Sequence, residues 1–356
     1  MCSSSSQQAY RLPTNVKPLH YDVTIQTDLA SKSFSGFGSV LLRIQSLPLT
    51  SLTFNANKAL ELRDIAVHTT ALKTDSAYQV PADKVSRDDK EERVTLDLSD
   101  AGLAGAGLKE GDEITLSLGW KSALGTSMVG YYISSYTTVD GAQDAYTLTQ
   151  FESTDARKAF PCWDEPALKA TYSLSMVSRA ELVNLSNMPV HDERPYTGTS
   201  AAWHEGKSSL TASGEGKTTG KTVGKLLKTL KTELEPASDD GKGGGWKVTR
   251  FEKTPLMSTY LLTFASGPFE YRADKFRSSN GKDVPIRIYA TKDIVHQVDY
   301  ALEVTRLATP VYEQLFDIPF ALPKLDSLVA TDFDAGVSPM CRPPCPPQPP
   351  RLTTSL

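Results

Sequence analysis

Apolar and polar side chains alternate along much of the chain. In "LHYDVTIQTD", residues 19–28, Leu19, Tyr21, Val23 and Ile25 share one face at a period of two, which predicts a half-buried strand. The same period recurs in "SVLLRI" (Val40, Leu42, Ile44), "RVTLDLS" (Val94, Leu96, Leu98) and "EITLSLGW" (Ile114, Leu116, Leu118, Trp120). Turn-forming clusters such as "SGFG", "GLAGAG" and "DGAQD" separate these runs. Many short strands with turns between them predict an antiparallel, mainly β domain. The "GFG" near residue 37 is too short for a phosphate loop and reads as a bulge or hairpin bend.

Strands resume at 170–177 and 181–190, and then the texture changes. Residues 197–245 are rich in Gly, Ser, Thr and Lys and read as a low-complexity insertion, a mobile loop. Lys217, Lys221, Lys225 and Lys228 within it have helical spacing, so a transient basic helix is the weaker alternative. "WKVTRFEKT", "STYLLTFASGPFEY" and "VPIRIYAT" are strands again, with Pro285 hinting at an edge. From Ile294 the period lengthens. Val298, Ala301, Thr305, Ala308, Tyr312 and Leu315 follow every three to four residues, predicting an amphipathic helix over 293–317 that Pro310 should kink or divide. "LPKLDSLVATDF" then reads as a strand. This strand–helix–strand order predicts that a second domain, of α/β type, begins near residue 275.

Composition excludes more than it assigns. A chain of 356 residues with net charge −4 gives no reason to expect nucleic acid or an anionic membrane as partner. No apolar run approaches the ~20 residues of a membrane span. The opening "MCSSSSQQAYRLP" lacks the apolar core of a secretory signal, so the cytoplasm is expected. Cys2, Cys162, Cys341 and Cys345 make no disulfide framework. "CRPPC" resembles half a metal site without its second pair, so no metal is expected in this chain.

The densest chemistry lies in "TQFESTDARKAFPCWDEPALKATY", residues 149–172. Charges among aromatic residues must be paired or solvated. On one reading Arg157 bridges Asp155 or Asp164 and only fixes a long connection. On the other, Gln150 and Glu152 point the same way from a strand end and offer an amide and a carboxylate to a cationic group.

That block resembles the hallmark segment of zinc aminopeptidases of the aminopeptidase N and puromycin-sensitive type. "NMPV", "TPLMSTYLLTFASGPFEY", "VPIRIYAT" and "LPKLDSLVATDFDAG" match the same family in order, over roughly residues 10 to 336 without the insertion. The resemblance implies a saddle-shaped β-rich N-terminal domain over 10–274, after a disordered 1–9. The start of a thermolysin-like catalytic domain would follow at 275–336. It also implies that Gln150 and Glu152 receive a peptide's free amino terminus, Glu152 binding the α-ammonium, while Asp155, Arg157, Cys162 and Asp164 keep structural roles. In that family "DFDAG" continues as Gly-Ala-Met-Glu-Asn, a substrate-pairing strand, and an H-E-x-x-H helix follows. Here Gly336 alone of that strand remains, and residues 337–356 form an unrelated Pro- and Cys-rich tail, as translated intron would. The histidines His20, His68, His191, His204 and His296 are scattered, with no H-E-x-x-H. The expectation is therefore an N-terminal fragment of a zinc aminopeptidase, with zinc in the full-length enzyme and no peptidase activity of its own. It would bind peptide N-termini weakly and self-associate through the incomplete catalytic domain. A non-catalytic peptide-binding or partner-binding β-domain is the alternative.

Overall fold

A computed structural model describes residues 10–69, 77–103, 107–196, 245–331 and 351–353. The insertion (all but Gly245), Gly336 and both Cys341 and Cys345 lie outside them. The first strands are β1 (Val16–Asp28), β2 (Ser33–Ile44), β3 (Ser51–Asn55), β4 (Glu61–His68), β5 (Tyr78–Gln79), β6 (Val85–Asp88) and β7 (Arg93–Asp97). Next come β8 (Glu113–Ala123), β9 (Gly130–Thr137), β10 (Gln143–Gln150), β11 (Thr171–Arg179), β12 (Val183–Ser186) and β13 (Val190–Tyr196). The rest are β14 (Trp246–Phe251), β15 (Phe264–Gly267), β16 (Phe269–Arg277), β17 (Asp283–Thr291), β18 (Leu325–Ala330) and β19 (Arg351–Thr353). Helix α1 spans Asp299–Phe316. The fold is mainly β, and most strand pairs are antiparallel; β1 with β11 and β17 with β18 are parallel. Among the described residues no helix is long and apolar enough to cross a membrane.

The chain forms two compact units that interleave in sequence. The first draws on Met1–Ala123, Phe151–Ala180 and Asp192–Leu262, the second on Leu124–Gln150, Glu181–His191 and Thr263–Leu356. Residue 274, where the sequence pattern puts a boundary, falls inside β16, whose register with β17 runs from Phe269↔Thr291 to Arg277↔Asp283.

The first unit is built on an eight-stranded sheet of order β13-β14-β11-β1-β2-β8-β4-β5, with a smaller sheet β3-β7-β6. Tyr21, Val23 and Ile25 are buried as the alternation predicts, but Thr24 and Gln26 on the opposite face are buried too. The strand is covered on both faces, where half-burial is expected. Leu19, the first residue of the predicted face, is only partly buried. The "GFG" stretch is neither bulge nor bend. It runs straight through β2, in unbroken register with β8 from Gly36↔Trp120 to Gly38↔Leu118. A Cβ on Gly36 would lie 2.4 Å from the Trp120 ring, and one on Gly38 2.7 Å from the Asp22 carbonyl. The glycines are there to let the fully buried indole lie against the backbone.

The second unit holds two four-stranded sheets, β12-β15-β10-β9 and β16-β17-β18-β19. One core joins Tyr132, Tyr146, Leu148 and Leu185 to Phe269 and Leu328. Another gathers Ile286, Ile288, Val295, Val298 and Val329, with Leu302 of α1 packed on it. Lys324, buried, donates to the Ser186 carbonyl and to Asp326, each at 2.6 Å, so the entry to β18 carries a paired charge. Pro285 hints at an edge only locally. Strand β17 is interior, but β18 pairs with it over Ile286–Tyr289 alone, so Pro285 has a neighbour, Lys275, on one side. The tail contributes β19, antiparallel to β18 from Leu328↔Thr353 to Ala330↔Arg351. Pairing there satisfies backbone groups that an open edge leaves exposed.

Helix α1 departs from its pattern in extent and, over its last turns, in phase. It begins at Asp299, after a 3-10 turn at Val295–Gln297, and it continues unbroken through Pro310. Of the predicted stripe, Ile294 and Val298 pack into the core but precede the helix, Ala301, Thr305 and Ala308 are partly buried, and Tyr312 and Leu315 are exposed. The side toward the sheet carries polar groups beside Leu302. Arg306 pairs with Asp274 at 3.2 Å. Buried Glu313 accepts from Ser278 Oγ at 2.5 Å, Ser279 N at 2.8 Å and Phe320 N at 2.5 Å. The hydrogen bonds to Ser278 and to those amides hold its carboxyl below the usual range.

Candidate functional site

Gln150 is the last residue of β10 and pairs across the sheet with Gly130 of β9. Glu152 is not on the strand. It lies in the adjoining turn, with its side chain exposed, after Phe151 has turned inward to 1% exposure. The division between the units passes through this stretch, Gln150 ending a segment of the second and Phe151 opening one of the first.

The segment after Glu152 is held from many sides. Phe151 meets Phe160 edge to face with centroids 6.1 Å apart, and Phe160 meets Tyr21 at 6.2 Å in the same way. Tyr21 stacks on Tyr172 at 4.9 Å, and its hydroxyl accepts from the Trp163 amide at 3.0 Å. The Trp163 ring packs on Phe54 at 5.7 Å. Such aromatic contacts add about 0.5–1.5 kcal/mol each beyond burial. Cys162 exchanges two backbone hydrogen bonds with Asn55, at 2.8 and 3.0 Å, and Asn55 Oδ1 accepts from the Asp164 amide at 3.1 Å. The Cys162 thiol is buried, and burial pushes its pKa up, so it is a packing residue without thiolate character.

The charges resolve the open alternative about Arg157. Its partner is Asp164, with Nε to Oδ2 at 3.0 Å, and not Asp155, which pairs with Lys158 at 2.7 Å. Arg157 also reaches Glu92 at 3.5 Å and the Asp164 carbonyl at 3.2 Å. Asp164 takes a further bond from Thr259 Oγ1 at 2.7 Å, so both oxygens of this buried carboxylate are used. Glu165 accepts from the Leu12 amide at 2.6 Å and from Arg11 at 3.1 Å. These residues form a clamp. Glu152 lies in the exposed turn between strand β10 and that clamp, which suits a carboxylate that meets a cation from outside.

Asn55, Glu92 and Thr259 belong to the clamp and are not picked out by the sequence pattern, and Tyr21 is marked there only as an inward residue of its strand. Asn55, at the end of the apolar run "LTF", was the one local signal. His20 and His68 are buried, while His191 and His296 are exposed on other elements. Among the described residues no group of three or more His, Cys, Asp or Glu could hold a metal ion.

Sequence comparison now identifies the family: residues 17–210 match the Peptidase M1 N-terminal domain. The chain belongs to that family. It is 30% identical to a human glutamyl aminopeptidase over 344 residues, covering 94% of this chain and 29% of the relative. It is 28% identical to aminopeptidase M1 of Arabidopsis thaliana over 326 residues, 92% of this chain and 30% of the relative. An alanine/arginine aminopeptidase of Saccharomyces cerevisiae is 29% identical over a similar span. The chain thus spans about 30% of the length of these relatives.

Proposed function

We propose that this chain is the amino-terminal part of a metallo-aminopeptidase that removes single residues from peptide N-termini, and that its own share of the work is to receive the free amino group. The observation that carries this reading is the exposed Glu152 carboxylate, set one residue after a buried Phe151 and beside a segment clamped by the Arg157–Asp164 pair. A carboxylate so placed accepts hydrogen bonds from an α-ammonium group, each charge-assisted bond contributing about 1.5–3 kcal/mol. Gln150 offers an amide oxygen to the same group from the end of β10. A free amino terminus is thereby distinguished from an acylated one, which carries no charge and keeps a single N–H. Gly336 is assigned to the backbone of the bound peptide. In the whole enzyme a zinc ion would activate the hydrolytic water. The described residues do not fit such an ion, so the proposal gives this chain no hydrolytic step. A cytoplasmic location goes with the reading and is checked by cell fractionation.

The test is made on the purified 356-residue chain. The expected result is no stoichiometric zinc by elemental analysis and no release of nitroaniline from aminoacyl-nitroanilides. One equivalent of tightly held zinc with chelator-sensitive turnover would overturn the division of labour proposed here.

A further inference from the structure

Residues 278–282 close the hairpin between β16 and β17, and at their centre stands the one Asn-Gly pair in the sequence, Asn280–Gly281. Both residues are exposed, and Gly281 sits at φ +82°, the left-handed region that such a short loop asks of its last residue. The Ser278 amide donates to the Lys282 carbonyl and the Gly281 amide to the Ser278 carbonyl, each at 2.9 Å. The Asn280 side chain bends back over the turn, and its Oδ1 accepts from the Lys282 amide at 3.0 Å.

We propose that Asn280 is a deamidation site, and that its conversion loosens the hold of this hairpin on α1. In the step, the Gly281 nitrogen gives up its proton and bonds to Asn280 Cγ, closing a succinimide ring. The side-chain NH2 takes that proton and leaves as ammonia. Water then opens the ring at either carbonyl, giving aspartate or isoaspartate, with nothing oxidised or reduced. The turn favours this chemistry. Glycine puts no side chain over the attacking nitrogen, and where a Cβ would stand only Arg277 comes near, at 3.9 Å. The Lys282 amide is already aimed at Oδ1, where negative charge gathers as the nitrogen attacks. The carboxylates beside the turn are occupied, Asp283 by Lys275 and Arg277 and Glu313 by Ser278 and Ser279, so little negative field opposes loss of the amide proton. Asn15, Asn55, Asn57, Asn184 and Asn187 precede Val, Ala, Lys, Leu and Met, whose side chains hinder the same attack. The consequence follows from what the loop holds. Ser278 Oγ at 2.5 Å and the Ser279 amide at 2.8 Å are the hairpin's grip on Glu313. Isoaspartate adds a carbon to the main chain beside them, and either product sets a new negative charge near that carboxylate. The inference is independent of the amino-terminus site.

The test is timed incubation of the full chain in mildly alkaline buffer at physiological temperature, followed by digestion and mass spectrometry. The peptide holding Asn280 should gain about 1 Da, as an amide NH2 gives way to OH. It should do so ~10-fold or more faster than any peptide holding another asparagine. A protease that cuts before aspartate should cut only part of the modified peptide there, the rest being isoaspartate. Asn280→Gln, exposed and closing a larger ring far more slowly, should keep its mass. Amide exchange at Ser279 should rise by ~10-fold or more in the aged wild-type chain and stay unchanged in aged Asn280→Gln. An Asn280 that converts no faster than the other asparagines would overturn the proposal. So would a converted chain whose Ser279 amide exchanges as slowly as in the fresh protein.

Discussion

In the segment 151–165 the aromatic rings face inward and the buried charges Arg157 and Asp164 neutralise each other, whereas α1 turns Glu313 toward its sheet and Leu307, Val311 and Leu315 to water. Both arrangements pair their buried charges. They differ in where the apolar surface goes. The clamp removes its own from water and needs nothing further, and the helix keeps its apolar surface exposed at a cost of about 25 cal/mol per Å². A segment of the first kind makes a fixed support for a binding residue, and one of the second kind leaves a face that further protein surface can cover.

The comparison is most easily broken at Asp164. Asp164→Ala removes the partner of Arg157 and of Thr259, stranding a mostly buried guanidinium, so it should cost about 3–5 kcal/mol. Urea unfolding checks this, and a loss below ~1 kcal/mol would mean the clamp is not what holds the segment.

A second prediction concerns pH, through two neighbours on β1. Burial, with Lys253 nearby, lowers His20 from 6.5 to about 4, and burial, opposed by Arg250, raises Asp22 from 3.8 to about 6. A histidine depressed in the folded state contributes stability that is complete above pH 6.5 and lost as pH falls toward 4. A raised carboxyl contributes stability that is complete below pH 3.8 and lost as pH rises through 6. The two slopes oppose each other, so the wild type should be nearly flat between them. His20→Gln should become less stable from pH 4 to 6, and Asp22→Asn more stable, each by roughly 2–3 kcal/mol. Thermal melts across that range test both signs.

Smaller effects sharpen the contrast. Gly36→Ala pushes a methyl into the Trp120 ring and should cost about 1–3 kcal/mol by overpacking. Leu307→Lys on α1 should change the unfolding free energy of the monomer by no more than about 0.5 kcal/mol. A large loss there would mean that the outward face already packs within its own chain.

Much of this was legible in the sequence, for physical reasons that also set the limit. Strands β1, β2, β7 and β8 showed in the period-two pattern because one face of each is packed in a core. Their second faces were not legible, since Thr24, Gln26 and Ser39 are polar and become buried through the sheet around them. The stripe of α1 holds as far as Ala308 and fails at Tyr312 and Leu315, because apolar residues lie on more than one side of the helix and a period of three to four can be threaded through either set. The interleaving of the units could not be seen, because periodicity reports a strand and says nothing of its neighbours. At the site, the 149–172 block stood out by its density of charges and aromatic residues, but the partner of Arg157 depends on where the chain turns after Phe151. Glu92 and Thr259 are 65 and 95 residues from the groups they hold, beyond any local signal.

Glu152, as the residue that meets a free amino group, carries the central claim about function. Calorimetric titration of the chain with one short peptide in two forms, amino terminus free or acetylated, measures this directly. Loss of one charge-assisted contact of about 1.5–3 kcal/mol predicts that acetylation weakens binding by about 10- to 100-fold. In Glu152→Gln the two forms should bind alike. Equal affinities of both forms for the wild-type chain, or an undiminished preference for the free amine in the variant, would contradict it.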